Sequence, residues 1–146
     1  MRTFIKHMPE NKPYIIEFQT VGEIGEGFIS IAEFEKSIPF EVKRVFWTYQ
    51  TPDHIVRGRH AHYLTELVLV AAAGRIVVNT EMTNGKLETF VLEKPSIGLY
   101  IPPTVWHTMQ YYFNAVQLVF ASSIYDENDY IRDYSEFQQL IKNGKI

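Results

Sequence analysis

An all-β sandwich or barrel, closed by one short C-terminal helix, is the fold class the sequence predicts. Three observations carry it. Roughly ten short segments rich in β-branched and aromatic residues follow one another, each bounded by turn residues. Asn84-Gly85 stands between two of them, a hairpin signature because both residues accept the positive φ of a type I′ turn. Helical spacing of apolar residues begins only near the C-terminus.

The elements follow in order. PYIIEFQ (13–19), GFISIAEF (27–34) and FEVKRVFWTYQ (40–50) open the strand series. VGEIGEGF (21–28) has three glycines but two glutamates and no lysine, so it reads as a turn between strands and not as a phosphate loop. IVRGRHAH (55–62) and ELVLVAA (66–72) come after TPDH, and GRIVVNTEM (74–82) and KLETFVLE (86–93) flank TNG as a hairpin. SIGLYIPP (96–103), VWHTMQYYF (105–113) and VQLVFASS (116–123) complete the set. The acidic run YDENDYIRDY (125–134) reads as a solvated helical start or an interface element. In YSEFQQLIKNGKI (134–146), Ser135 and Gln138 have capping-box spacing. Phe137, Leu140 and Ile141 share a helical face, and Gly144 supplies a stop. No repeat, low-complexity tract or linker interrupts the chain, so 1–146 is expected to be one domain.

Composition bounds the function. The 146 residues are 46% hydrophobic and 21% charged, as expected of a soluble globular protein with a real core. A net charge of -3 offers no footprint for nonspecific nucleic-acid binding. The absence of cysteine removes disulfides, thiol catalysis and cysteine-ligated metals, and fits a reducing cytoplasm. The N-terminal MRTFIKHMPENKP lacks the pattern of a signal peptide. No apolar run approaches the roughly 18 residues of a membrane span. A cytoplasmic protein with no nucleic-acid and no membrane partner is expected.

The chemistry concentrates in RGRHAHYLTE (57–66). On a strand, His60 and His62 point to one face. Glu66 follows, and His107 lies some forty residues on, in PPTVWH. This order resembles the metal-binding pattern of the cupin barrels; three imidazoles and a carboxylate make a competent site for zinc, iron or manganese. Proton transfer is the second reading. Neutral imidazole suits proton abstraction from carbon near pH 7. Two imidazoles roughly 6.5–7 Å apart at Cα can serve adjacent carbons of one sugar ring. Ordinary strand packing is the third reading, and it fits poorly two same-face histidines beside an arginine pair. Strict alternation puts Arg57 on the opposite face from the histidines, unless Gly58 introduces a bulge. A guanidinium there could hold a diphosphate bidentately. Arg59 is expected to face outward, Lys43-Arg44 lie on a preceding strand, and Trp106 and Tyr100 are expected to pack between sheets.

With those residues in place, the chain resembles the dTDP-4-dehydro-6-deoxyglucose 3,4-ketoisomerases, sugar-nucleotide enzymes with a small cupin fold. The likeness spans nearly the whole chain. It rests on IPFEVKRVF (38–46), RGRHAH (57–62), ELVLV (66–70), GLYIPPTVWH (98–107) and YDENDYIRDYSEF (125–137), in that order. The resemblance implies a cupin-type jelly roll or β-barrel. It implies a homodimer, often with exchanged N-terminal strands, acting on a dTDP-linked 4-keto-6-deoxyhexose with no metal and no cofactor. Members move the ketone from carbon 4 to carbon 3, and an aminotransferase then makes 3-amino-3,6-dideoxy sugars for bacterial surface glycans such as O-antigen. The resemblance makes His60 and His62 the acid–base pair and places Arg57 on the diphosphate. Arg44, Glu66 and His107 are the further substrate-binding candidates. Members carry a large polar or cationic residue in the loop that here reads GEIGEG, where Gly25 stands, and they vary between His and Arg at His107. Both positions bear on the face of carbon 4 that is protonated. A sugar-nucleotide 3,5-epimerase, or a metal-binding or non-enzymatic sugar-binding cupin, are the alternatives.

Overall fold

The structure, a computed structural model, describes residues 11–146. Residues 1–10, part of the single-domain expectation, lie outside the described residues. Two long antiparallel strands form the spine: β6 (Leu67–Glu81) and β9 (Trp106–Ala121), paired along almost their full length. Four shorter strands flank one half of this pair or the other. The first half of β6 borders β8 (Ile97–Ile101), which borders β1 (Tyr14–Glu17), while the facing half of β9 borders β4 (Arg44–Thr48). The second half of β6 borders β7 (Leu87–Leu92). The facing half of β9 borders β5 (Val56–His62), which carries the two-residue β10 (Tyr130–Ile131). The halves therefore read β1-β8-β6-β9-β4 and β7-β6-β9-β5-β10, a jelly roll built on two shared strands, as expected of the fold class.

Each spine strand was expected as two strands, and the reason for the difference is local. Gly74 at φ +68 stands opposite Phe113 and Asn114, whose φ values are +58 and +53. The ladder passes from Ala73↔Val116 to Arg75↔Tyr112, so three β9 residues oppose one β6 residue. This bulge bends both strands without ending either. A Cβ on Gly74 would lie 2.6 Å from the Tyr112 carbonyl oxygen, which is why glycine stands there.

The core sits between the halves. Leu67, Leu69, Ile76, Val78, Met109, Tyr111 and Val119 are buried together there. Val68, Val70 and Tyr100 are buried on the other face of the first half, beneath Ile16, Phe18, Ile38 and Phe40. Burial on both faces explains why ELVLV is continuously apolar rather than alternating. A third cluster, Ala61, Ile131 and Phe137, seats the helix α1 (Tyr134–Lys142) on the outer side of β5.

Two local expectations are corrected. The Asn84-Gly85 hairpin exists, but only Gly85 has positive φ, at +82. Gly85 N–H donates to the Met82 carbonyl (2.9 Å) and Met82 N–H to the Lys86 carbonyl (3.0 Å). That is a type I turn followed by a glycine bulge, not type I′. The helix cap is Asp133, whose carboxylate accepts the Glu136 N–H, not Ser135. Asp133 and Glu136 have the same box spacing two residues earlier. Gly144 closes the helix as expected, with Gly144 N–H bonded to Ile141 O and Lys145 N–H to Leu140 O. The glycine-rich stretch is the turn of a separate hairpin, β2 (Gln19–Glu23) and β3 (Gly27–Ile31), exposed along nearly its whole length.

Candidate active site

A cavity of about 110 Å³ opens between the two halves, lined in part by His60, His62 and Arg57 of β5, His107, Met109 and Tyr111 of β9, Thr48 and Tyr130. The parity problem of Arg57 is solved as Gly58 suggested. β5 pairs Gly58↔Thr108 and then His60↔His107, so Arg59 is an extra residue. Gly58 and Arg59 both have positive φ, +80 and +57. The bulge turns Arg57, His60 and His62 to one face and sends Arg59 to the other. Arg59 lines a broader open groove of about 570 Å³ with Trp106, Glu81 and Tyr134, which none of the histidines reaches.

The histidine end is densely packed. Ring centroids lie 4.7 Å apart for His60–His107, 5.0 Å for His60–His62 and 5.8 Å for His62–His107. His60 Nδ1–H donates to the Gly58 carbonyl (3.1 Å) and His107 Nδ1–H to the Val105 carbonyl (3.0 Å). A carbonyl can only accept, so each neutral ring keeps its lone pair on Nε2. The Nε2 atoms of His62 and His107 are buried without a partner. Burial disfavours the imidazolium and lowers His60 to about 3, His62 to about 2 and His107 to about 4; the neighbouring His107 charge adds to the first two. All three rings are therefore neutral bases at pH 7.

The other end is hydrogen-bonded. Tyr111 donates its phenol to Gln117 Oε1 at 2.7 Å, and burial raises that phenol to about 12. Thr48 and Arg57 complete this wall.

Not every expected residue joins the cavity. Glu66 is turned to the outer face of the first half, where it accepts the Tyr100 phenol at 2.8 Å. It stands immediately before β6, with parity opposite to that of the cavity-lining Leu67 and Leu69. The carboxylate is thus separated from the three histidines. Arg44 sits beside the cavity without lining it; its guanidinium packs on Phe46 (5.3 Å) and Tyr125 (5.6 Å). Ligand atoms of His60, His62 and His107 lie within 4.8 Å of one another, a donor set that suits a divalent d-block ion. Tyr100 is buried in a core cluster, whereas Trp106, expected between the sheets, packs against Tyr134 and Phe137 of the helix on the outer side.

Tyr130, Tyr111, Thr48 and Gln117 were not singled out from the sequence. The acidic run, expected as a solvated helical start or an interface element, forms a 3-10 turn (Glu127–Asp129) and then β10, which seats Tyr130 4.5 Å from His62 and 5.2 Å from His60, ring to ring. Alternation alone could have marked Thr48, Tyr111 and Gln117, since each shares parity with apolar core neighbours on its strand.

The fold and this arrangement define a small β-roll of the sugar-isomerase type, and the chain belongs to the family described as FdtA: WxcM-like, C-terminal, whose model matches residues 11–142. It is 38% identical over 133 residues to the TDP-4-oxo-6-deoxy-alpha-D-glucose-3,4-oxoisomerase of Aneurinibacillus thermoaerophilus, covering 90% of this chain and 93% of that one. The 3,4-ketoisomerase QdtA of Thermoanaerobacterium thermosaccharolyticum in complex with TDP superposes with a TM-score of 0.85 at 31% identity, over 95% of this chain and 100% of that one. A histidine mutant of QdtA in complex with TDP-4-keto-6-deoxyglucose gives the same TM-score and identity over 93% and 97%. The RmlC epimerase of Mycobacterium tuberculosis, at 11% identity and TM-score 0.69 over 81% and 66%, shares the fold alone.

Proposed function

We propose that this chain is a sugar-nucleotide 3,4-ketoisomerase, moving the ketone of a dTDP-linked 4-keto-6-deoxyhexose from carbon 4 to carbon 3. One observation carries the reading at the level of the site: two neutral imidazoles, His60 and His62, share a desolvated cavity with Arg57 on the same wall. The relatives named above act on the same class of substrate.

The chemistry follows from the substrate's own ketone. The carbon 3 hydrogen is acidified by the carbonyl at carbon 4. One imidazole of the His60–His62 pair removes it, giving an enediol planar at carbons 3 and 4. Return of a proton to carbon 4 leaves the ketone at carbon 3, and the second imidazole moves the hydroxyl protons. Such acid–base help contributes about 10²–10⁴ in rate. Arg57 holds the diphosphate, and His107 and Tyr130 border the sugar. Arg44 approaches from the rim. Glu66, bonded to Tyr100 on the outer face, stays outside the sugar pocket. An ion, where present, would be held by His60, His62 and His107 and would polarise a carbonyl; the proton transfers above need only the protein's own groups.

The chain works as a homodimer in this reading. A two-stranded hairpin is marginal in water by itself, and β2–β3 exposes Val21, Ile24, Phe28 and Ile29. The outward residues of β4, Val45 and Trp47, and Tyr49 just after it are exposed as well. Together they offer apolar surface for a second copy. Light scattering that returned the 17.1 kDa of one chain would overturn the dimer. A cytoplasmic enzyme of deoxysugar biosynthesis for surface polysaccharide is the setting this activity implies.

Incubation with dTDP-4-keto-6-deoxyglucose in deuterated water, followed by NMR of the sugar, tests the function. A 3-keto product with deuterium at carbon 4 is expected, and a 3-aminotransferase should trap it. Inverted carbons with the ketone still at carbon 4 would make the protein an epimerase. Binding of dTDP with no deuterium uptake would make it a sugar-binding protein.

A further inference from the structure

Two of the three site histidines are oriented by the backbone and one is not. His60 and His107 each donate Nδ1–H to a carbonyl two residues earlier. Among the described residues no hydrogen bond holds the His62 ring, and its Nε2 is buried without a partner. The rings that pack it are Tyr130 at 4.5 Å, His60 at 5.0 Å and His107 at 5.8 Å. Tyr130 is the nearest of these and the only one supplied from outside the β5–β9 pair.

Tyr130 arrives on a strap that leaves β9 after Ala121 and returns as β10. The strap is tied down at its start, where Ser122 Oγ accepts the Glu66 N–H (2.8 Å) and Ser122 N–H donates to the Glu66 carbonyl (3.0 Å). Its far end is held by the two-residue β10–β5 ladder, Tyr130↔His62 and Ile131↔Ala61, and just before it by the side chain and carbonyl of Asp129. The Asp129 carboxylate accepts the Leu64 N–H (2.7 Å), the Thr65 N–H (3.2 Å) and the Thr65 hydroxyl. The Asp129 carbonyl accepts the Tyr63 N–H at 2.9 Å. All four donors belong to the three residues that directly follow His62. A carboxylate at a surface strap ordinarily takes its hydrogen bonds from water; here it joins the turn after the histidine strand to the residue before Tyr130.

We propose that Asp129 is a positioning residue for the proton-transfer pair: by clamping the strap to the 63–65 turn it fixes Tyr130 against His62, the imidazole that has no hydrogen bond of its own to set its plane. This rests on the reading of His60 and His62 as the acid–base pair. Release of the clamp lets Tyr130 withdraw, frees the His62 ring to rotate and admits water between the rings. The groups that then govern His62 are those already facing it: His60, His107 and Tyr130 around the ring, with Arg44 and Arg132 acting from the rim. The nucleotide end at Arg57 lies further along β5 and keeps its geometry.

The test uses Asp129→Asn and Thr65→Val, with Thr65→Ser as the conservative control. Misplacing a catalytic group by about 1 Å can cost on the order of 10²-fold in rate. Asp129→Asn should lower kcat by about that factor and Thr65→Val by about tenfold, with the KM and the Kd for TDP within about twofold of wild type. Thr65→Ser keeps the hydroxyl and should restore kcat to within about threefold. The acid limb of the kcat–pH profile should move upward in Asp129→Asn, because a hydrated imidazole takes a proton more readily. Unchanged kcat in both Asp129→Asn and Thr65→Val would overturn the proposal. So would a fall in TDP binding as large as the fall in kcat, or a Thr65→Ser variant no better than Thr65→Val. Should Asp129→Asn fail to fold, the Thr65 pair decides alone. Failure of the parent reading looks different: wild type would wash no deuterium into the sugar, or His62→Asn would turn over normally.

Discussion

One cavity has two unlike ends. At the histidine end three imidazoles meet, and the Nε2 atoms of His62 and His107 are buried without a protein partner. At the other end Tyr111 donates its phenol to Gln117 Oε1, and Arg57 is exposed. The two lie a few residues apart on the same strands, since β5 pairs His60 with His107 and Arg57 with Met109. Buried imidazoles held neutral suit proton transfer, whereas an exposed cation costs little and suits a mobile anionic group. The contrast divides the labour expected in this site: turnover at one end, affinity at the other.

The largest effect should come from the histidine end. His60→Asn and His62→Asn should each reduce kcat by about 10²–10⁴-fold, with TDP affinity preserved because the end proposed to hold the nucleotide is untouched. Stopped assays and calorimetry on the same preparations separate the two. A His62→Asn enzyme with near-normal kcat would break the division. Arg57→Ala should do the reverse. Loss of a charge-assisted hydrogen bond costs roughly 1.5–3 kcal/mol, so KM and the Kd for TDP should rise about 10–100-fold while kcat changes little. A kcat defect without an affinity defect would move Arg57 from the binding end to the reacting end.

How much of this was legible in the sequence depends on what each feature needs. Strand parity needs only the order of residues, so the shared face of His60 and His62 could be read directly. Arg57 needed the bulge, and Gly58 was the visible sign of it. Glu66 failed because parity carried through the start of β6 turns it outward, whereas a spacing motif treats every position as equivalent. The bent spine strands were read as pairs because Gly74 and Asn114 are turn residues locally, yet the ladder resumes beyond them. Tyr130 and Asp129 could not be found at all from periodicity. Their placement comes from contacts made across some 65 residues of chain to the 62–65 stretch. The aspartates in the same run, Asp126, Asp129 and Asp133, each accept backbone N–H groups, so an apparently solvated charge cluster is a set of caps and clamps.

Gly58 joins the two ends, and its replacement should disturb both. A Cβ there would lie 2.8 Å from the His107 carbonyl oxygen and 3.1 Å from Met109 Sδ, at a φ of +80. Gly58→Ala should cost about 1–3 kcal/mol of stability and should lower kcat and TDP affinity together, unlike either single-end variant. Urea denaturation and the two assays read this. An alanine enzyme with normal stability and normal kinetics would mean that the bulge does not set the register of Arg57 against the histidines.

A further effect is on stability and distinguishes the ends by pH. His60, His62 and His107 have folded pKa values lowered to about 3, 2 and 4, against 6.5 for an unhindered imidazole. Between those limits the unfolded chain binds more protons than the folded one, so stability is present above pH 6.5 and is lost as the pH falls. Each histidine contributes up to about 1.4 kcal/mol between pH 7.5 and 5.5. The window excludes the exposed Glu127, which its bonds to Arg132 and Tyr125 hold at about 2. Urea midpoints should therefore fall across it, and His62→Asn should flatten the fall by removing one titrating group, whereas Arg57→Ala should leave the slope as it is. Activity should follow a different course, because the folded imidazoles stay neutral throughout and kcat should be level over the same window. A stability curve flat from pH 7.5 to 5.5 would mean that the rings accept protons in place, and the desolvated character of the histidine end would be lost with it.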